Sequence, residues 1–155
     1  MDGALSALIA VFGTVLGSTV AYLFQRKTAA RNEGFAHRQQ LRAERMAVYS
    51  DFAGAVTEYR RSQYDRWHRT DEDPQGPAAA EARRESYRLK GAAQHAMFRV
   101  RLIAGSTAVA EAACAALDAA SGMHEASGRT RVRDSGDEAR EAVEHFISVA
   151  SHDVR

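Results

Sequence analysis

The chain has 155 residues, enough for one ordinary domain, and its 21 basic and 20 acidic side chains nearly cancel. The overall balance therefore identifies no class of partner. A single cysteine excludes an intrachain disulfide, and two prolines leave room for long helices. Residues 26–69 carry ten basic and five acidic side chains, whereas residues 105–155 carry five and nine. Such polarity suits self-association, or docking of the basic half on an acidic surface.

Residues 4–24 carry no charge, and their 21 residues would form a helix of about 31 Å, close to a bilayer core of about 30 Å. We therefore predict one transmembrane helix. A cleaved signal peptide fits less well, because no basic region precedes the segment and no small-x-small site follows it. A helix buried in a soluble core is disfavoured by the length of the segment and its lack of charge.

Basic residues follow this segment and are expected to hold its carboxyl end at the cytoplasmic face of the plasma membrane. Arg26, Lys27 and Arg31 come directly after it, and only Asp2 is charged before it. Since basic flanks stay in the cytoplasm, the N-terminus should face out, and the three cations should meet anionic headgroups of the lipid bilayer. Domain boundaries follow: an anchor over 1–25 and a cytoplasmic domain over 26–155.

Small residues recur every four positions within the predicted span. Gly13 and Gly17 form G-x-x-x-G, and Ala21 continues the spacing. Small side chains on one stripe let two transmembrane helices approach closely. The pattern predicts a packing face for a homo-oligomer.

The remaining residues predict an all-α fold, with an antiparallel bundle of about four soluble helices after the transmembrane helix. Three helices are expected near 26–69, 78–104 and 107–125, and the last should begin at a capping box, S-G-D-E, at 135–138. Loops are expected near 70–77, where both prolines lie, and near 127–135, where Arg129, Arg131 and Arg133 alternate. The large apolar side chains assigned to or beside the core stripes include Met46, Phe52, Tyr87, Phe98, Phe146 and Ile147.

The chain contains no sequence motif that predicts catalysis, and we expect no enzyme activity, cofactor or metal. The six histidines form no H-E-x-x-H pair, and phosphate-cradling and nucleophile-elbow motifs are absent from the sequence. The most unusual soluble stretch is Q-Y-D-R-W-H-R. Its Tyr64, Arg66, Trp67 and Arg69 are residue types that dominate interface hot spots, so they form a candidate partner patch. The alternative is an end cap of the bundle core.

Two stretches carry a family resemblance that covers most of the chain. The span runs into V-A-Y-L-F-Q-R-K-T-A-A-R, and L-R-A-E-R-M-A-V-Y-S-D-F-A-G-A-V-T-E-Y-R-R-S-Q-Y-D-R-W-H-R follows. This combination resembles small actinobacterial membrane proteins of the KilB family. The resemblance implies a role in spreading a conjugative plasmid along mycelium, beside a membrane DNA-transfer protein. It implies no particular functional residues.

Three hypotheses follow. The favoured one is a non-enzymatic, single-pass membrane protein whose helical domain mediates protein–protein assembly in plasmid transfer. The first alternative is a membrane-tethered nucleic-acid-binding protein whose binding weakens with salt. A pore-forming, holin-like toxin is the other, although a simple pore does not need the large soluble domain. The nucleic-acid alternative would use the arginines Arg60, Arg61, Arg66, Arg69, Arg83, Arg84 and Arg88.

Overall fold

The chain is helical throughout its regular structure. The computed structural model describes the backbone of residues 2–126 and 128–155, and the side chains of residues 34–124, 126 and 128–155. Within this part, the all-α prediction is confirmed. The helices are α1 (Asp2–Glu72), α2 (Pro77–Ile103), α3 (Thr107–Gly122) and α4 (Arg129–Asp153), and a 3₁₀ turn, Met123–Glu125, follows α3.

Two compact units divide the chain, Met1–Leu41 and Arg42–Arg155. The first contains helical backbone from Asp2 onward. Among the described residues, no helix combines the length and apolarity needed to cross a membrane. The predicted span, residues 4–24, lies outside the residues whose side chains are described, so it stays a prediction.

The second unit is an up-down bundle, as side-chain pairings along its helices demonstrate. Tyr49 bonds to Asp153 near the start of this unit, and Tyr64 bonds to the carbonyl of Arg133 farther along α1, so α1 and α4 are antiparallel. Likewise Asp51 pairs with Arg99 and Gln63 with Ser86, which makes α1 and α2 antiparallel. Short connections between consecutive helices favour this topology.

Apolar residues at helical spacing form the core of the bundle. In α3 every residue of the expected stripe is buried, and most of them are alanines, so neighbouring helices approach closely. Phe52 and Phe146 are fully buried where α1 meets α4, and their rings meet edge to face with centroids 4.8 Å apart. The core stripes predicted from the sequence included too many residues. Four large side chains assigned to or beside them are at least half exposed: Met46, Tyr87, Phe98 and Ile147.

The expected loop over 127–135 is wrong in extent, because α4 already begins at Arg129. Gly128 precedes it with a φ of +90°, a conformation that glycine adopts without strain. Val132 and Gly136 are buried and continue the helical spacing that leads to Val143. The alternating arginines therefore lie on the first turns of a helix. The expected capping box lies inside α4 and starts no helix.

A polar cluster joins three segments at the end of the bundle where α2 turns into α3. The Tyr49 hydroxyl donates to Oδ2 of Asp153 over 2.6 Å, and the Gly105 amide donates to the same oxygen over 3.1 Å. Arg45 donates from Nε to the Ile103 carbonyl over 3.0 Å and lies 3.6 Å from the Asp153 carboxylate. We call these five residues the Asp153 clamp. It fixes the C-terminus of α4 against α1 and the α2–α3 turn.

Truncation of Phe146 tests how much the aromatic contact contributes to the stability of the bundle. Phe146→Ala should lower the free energy of unfolding by about 3–5 kcal/mol, since it removes a fully buried ring and leaves a cavity. Urea unfolding of the purified protein measures this loss. Ile147→Ala is the matched control, because Ile147 is next in sequence but half exposed, and it should cost less than half as much. Equal losses would contradict the packing described.

The Asp153 clamp predicts a loss of stability at alkaline pH. Burial, and then the hydrogen bond to Asp153, raise the pKa of Tyr49 well above its ordinary value of 10.0. In the unfolded chain this tyrosine ionises near pH 10, so its contribution is complete below that pH and declines as pH rises above it. Tyr49→Phe should therefore flatten the fall in stability above pH ~10. Urea midpoints across this range measure the slope. The exposed Tyr87→Phe should keep the wild-type slope, and an unchanged slope in Tyr49→Phe would refute the assignment.

Candidate interaction site

The structure divides the predicted partner patch between three surroundings. Tyr64 lies against α4, where its hydroxyl donates to the Arg133 carbonyl over 3.3 Å. Arg69 forms ion pairs within α1, with Asp65 and Glu72. Arg66 and Trp67 lie together on the side of α1 that faces α2 and the Met123–Glu125 turn. Arg66 and Trp67 thus share one depression.

This depression is a cleft between α1, α2 and the 3₁₀ turn, and we call it the Arg66 cleft. It consists of two adjoining cavities of about 180 and 130 Å³ that share Gln63, Arg66 and His124. Arg83 and Lys90 of α2 supply two further cations. Among the described residues, no carboxylate lines either cavity. Its full lining is Tyr59, Gln63, Arg66, Trp67, Thr70, Arg83, Ser86, Tyr87, Lys90, Met123 and His124.

A buried polar network forms the floor of the Arg66 cleft. The Gln63 side-chain amide donates to the Tyr59 hydroxyl over 3.0 Å, and the Ser86 hydroxyl donates to the Gln63 amide oxygen over 2.9 Å. Gln63 and Ser86 are the buried polar residues of the described chain. Each side chain has a partner, so the network holds α1 and α2 in one register at this level.

Arg66 is oriented by an aromatic ring on the neighbouring helix. Its guanidinium carbon lies 5.6 Å from the centroid of the Tyr87 ring, within the range of a cation–π interaction. Tyr87 is itself 62% exposed, so the pair stands at the mouth of the cleft. A stacked guanidinium keeps its N–H donors free for a planar or tetrahedral anion.

The arginines proposed to face nucleic acid do not form one uncompensated surface. Arg84 pairs with Glu81, Arg88 with Glu85, and Arg69 with acids of its own helix. The carboxylate of Glu85 has a pKa below its usual value because of the hydrogen bond from Arg88. These pairs leave Arg66 and Arg83 with Lys90 as the cations gathered at the cleft.

Sequence reasoning placed Arg83 with Arg66 among seven arginines but missed Lys90, although a signal that groups these three cations was present. None of the three has an acidic residue three or four positions away in its own helix, whereas Arg84 and Arg88 each follow a glutamate by three. The spacing therefore separates cations with a helical partner from those without one.

An apolar groove runs between α1 and α4 on the bundle surface. Tyr49, Ala53, Phe146 and Ala150 form its base, and it encloses about 280 Å³. Met46 and Ile147 line its rim and are 53% and 50% exposed. Exposed apolar surface of this kind marks a contact site more often than isolated apolar residues do.

The remaining predicted site residues lie outside the described side chains. Gly13, Gly17, Ala21, Arg26, Lys27 and Arg31 belong to the segment whose side chains are not described. Cys114 is half-buried, with Sγ 4.0 Å from the Met97 sulfur. Across the described residues, no group of three His, Cys, Asp or Glu side chains could hold a metal.

These features define an all-α bundle protein with an apolar groove and a basic cleft on its surface. The family model of the KilB plasmid transfer protein matches residues 46–154, well over half of the chain. The chain therefore belongs to the KilB family, as the sequence resemblance indicated. No curated protein and no solved structure matches it. The match covers α1 from Met46 onward and α2 to α4, so it includes both surface features.

Proposed function

We propose that this chain is a non-enzymatic, membrane-tethered assembly protein that acts in plasmid spread. Membership of the KilB plasmid transfer family supports the process. The apolar groove between α1 and α4 carries the assembly role, because its rim leaves two large apolar side chains half exposed. Within the family's process, a membrane DNA-transfer protein is the expected further partner.

The occupant of the groove is a second copy of the chain. Met46 and Ile147 lie on opposite rims of one groove, on different helices. In a two-fold pairing each copy presents the same patch, so both rims are covered at once by identical apolar side chains. The opposite charge balance of the N- and C-terminal halves also suits pairing of like chains.

Disulfide crosslinking in native membranes tests this pairing. In a Cys114→Ala background, Ile147→Cys should give severalfold more oxidised dimer than His145→Cys. Residues 145 and 147 are both exposed on α4, but two helical positions differ by about 200° in direction, so His145 faces away from the groove. Dimer bands on non-reducing gels give the measurement. Equal crosslinking at both positions, or none at either, would sink the pairing.

The tether consists of residues 4–24, whose uncharged sequence is long enough to span a bilayer. Arg26, Lys27 and Arg31 support an orientation with the N-terminus outside and the bundle in the cytoplasm. The same small-residue stripe, Gly13, Gly17 and Ala21, would contribute to pairing inside the membrane.

Membrane fractionation tests the tether. The full chain should stay with membranes through a high-salt wash and dissolve only in detergent, because burial of an uncharged helix is insensitive to ionic strength. A variant lacking residues 4–24 should be released, since the core described for the bundle lies wholly within residues 42–155. In inverted vesicles, added protease should digest the bundle. Release of the full chain by salt alone would exclude a spanning helix.

A further inference from the structure

We propose that the Arg66 cleft binds a phosphate monoester. The proposal concerns a site separate from the apolar groove and does not depend on the assembly role. It depends on how two helices present polar residues at the same level of the bundle.

On both helices, polar side chains replace apolar ones on the face that lines the cleft. In α1, Gln63, Arg66, Trp67 and Thr70 are spaced three, four and seven apart, the spacing of a single helix face. In α2, Arg83, Ser86, Tyr87 and Lys90 have the same spacing. The seam that buries Val56 and Ala93 elsewhere therefore opens here into a cleft lined with hydrogen-bond donors.

The charges of the lining side chains indicate that the ligand is an anion. Arg66 lines both cavities of the cleft, Arg83 lines one and Lys90 the other, and no carboxylate among the described lining residues neutralises them. Arg66 and Lys90 are half-buried, so their charges are screened less than those of fully exposed residues. A concave, cationic surface with partly apolar walls concentrates anions.

Size and valence favour a phosphate monoester. The two cavities are each smaller than the roughly 300–1,000 Å³ of sites that enclose a drug-sized ligand, so a single anionic group fits them. A phosphate monoester carries a charge of about −1.5 to −2 near neutral pH and offers three acceptor oxygens. A guanidinium held by stacking can bind two of those oxygens, and an ammonium can neutralise the third.

Trp67 supplies a direct readout, because it is the only tryptophan of the chain and lines the cleft. Titration of the full chain in non-ionic detergent with inorganic phosphate, at constant ionic strength, should give a saturable fluorescence change. Lys90→Gln should weaken apparent binding about tenfold, the loss expected for one charge-assisted contact. Arg83→Gln should weaken it by a smaller factor, because Arg83 lines the adjoining cavity.

Arg84→Gln and Arg88→Gln are the matched controls, because they lie on α2 beside the test positions but pair with Glu81 and Glu85. They should bind phosphate within about twofold of wild type, well inside the tenfold step of one contact. Thermal unfolding followed by circular dichroism verifies that all four variants fold. No saturable change in the wild type, or equal weakening in controls and test variants, would overturn the proposal.

A second experiment distinguishes two sources of the phosphate, a lipid headgroup and a free small molecule. The full chain is reconstituted in phosphatidylcholine vesicles with or without phosphatidic acid. If a lipid headgroup occupies the cleft, phosphatidic acid alone reproduces the Trp67 signal in the wild type and fails to do so in Lys90→Gln. If the ligand is a free small molecule, only added phosphate gives the signal. A response to a DNA duplex that Arg84→Gln and Lys90→Gln weaken equally would indicate a diffuse basic surface and would overturn the site.

Discussion

The bundle depends on the close approach of α2 and α3, the two helices that bury mainly alanine. Ala112, Ala113, Ala116 and Ala120 occupy most of the buried face of α3, and each contributes little apolar area. The gain must therefore come from dispersion contacts between closely packed backbones and neighbouring side chains. Gly136 illustrates the constraint: a methyl group there would collide with the Tyr64 ring. A larger residue at a fully buried alanine of α3, such as Ala113 or Ala116, would overpack this face.

Faces made of small, similar side chains select one register only weakly, so polar contacts add to the selection made by large residues such as Phe52 and Phe146. Alanine against alanine packs almost equally well after a shift of one turn. The Gln63–Ser86 hydrogen bond and the Asp153 clamp act at different levels of the bundle, and each would be broken by such a shift. Since an unpaired buried polar group costs about 1–3 kcal/mol, both contacts penalise the wrong register more than they stabilise the right one.

The sequence predicts the parts of this structure that depend on local interactions, and it fails where tertiary packing decides. The α3 stripe was predictable residue by residue, because alanines, Val109 and Leu117 repeat at helical spacing. The start of α4 was not predictable in this way. The alternating Arg129, Arg131 and Arg133 are typical of a loop, and the single apolar residue among them, Val132, is too little to indicate a helix. Ile147 was placed in the core because periodicity tolerates a wide stripe, whereas the actual width depends on how closely α1 lies to α4. Arg66 and Trp67 stood out by composition, but Lys90 joins them only through tertiary packing.

Neighbouring basic residues of α2 differ in whether they have an acidic partner, and this difference indicates which of them can bind an anion. Arg84 and Arg88 each have a glutamate three positions before them, and they form ion pairs with these glutamates within the helix. Arg83 and Lys90 have no such partner and lie on the face that meets α1. Had solubility alone shaped this helix, paired and unpaired cations would be distributed over its exposed faces. Instead Arg83 and Lys90 share a face with the buried Ser86, and the half-burial of Lys90 makes its uncompensated charge costly. A cost placed at one position on two helices is what a binding site requires, because an incoming anion recovers it.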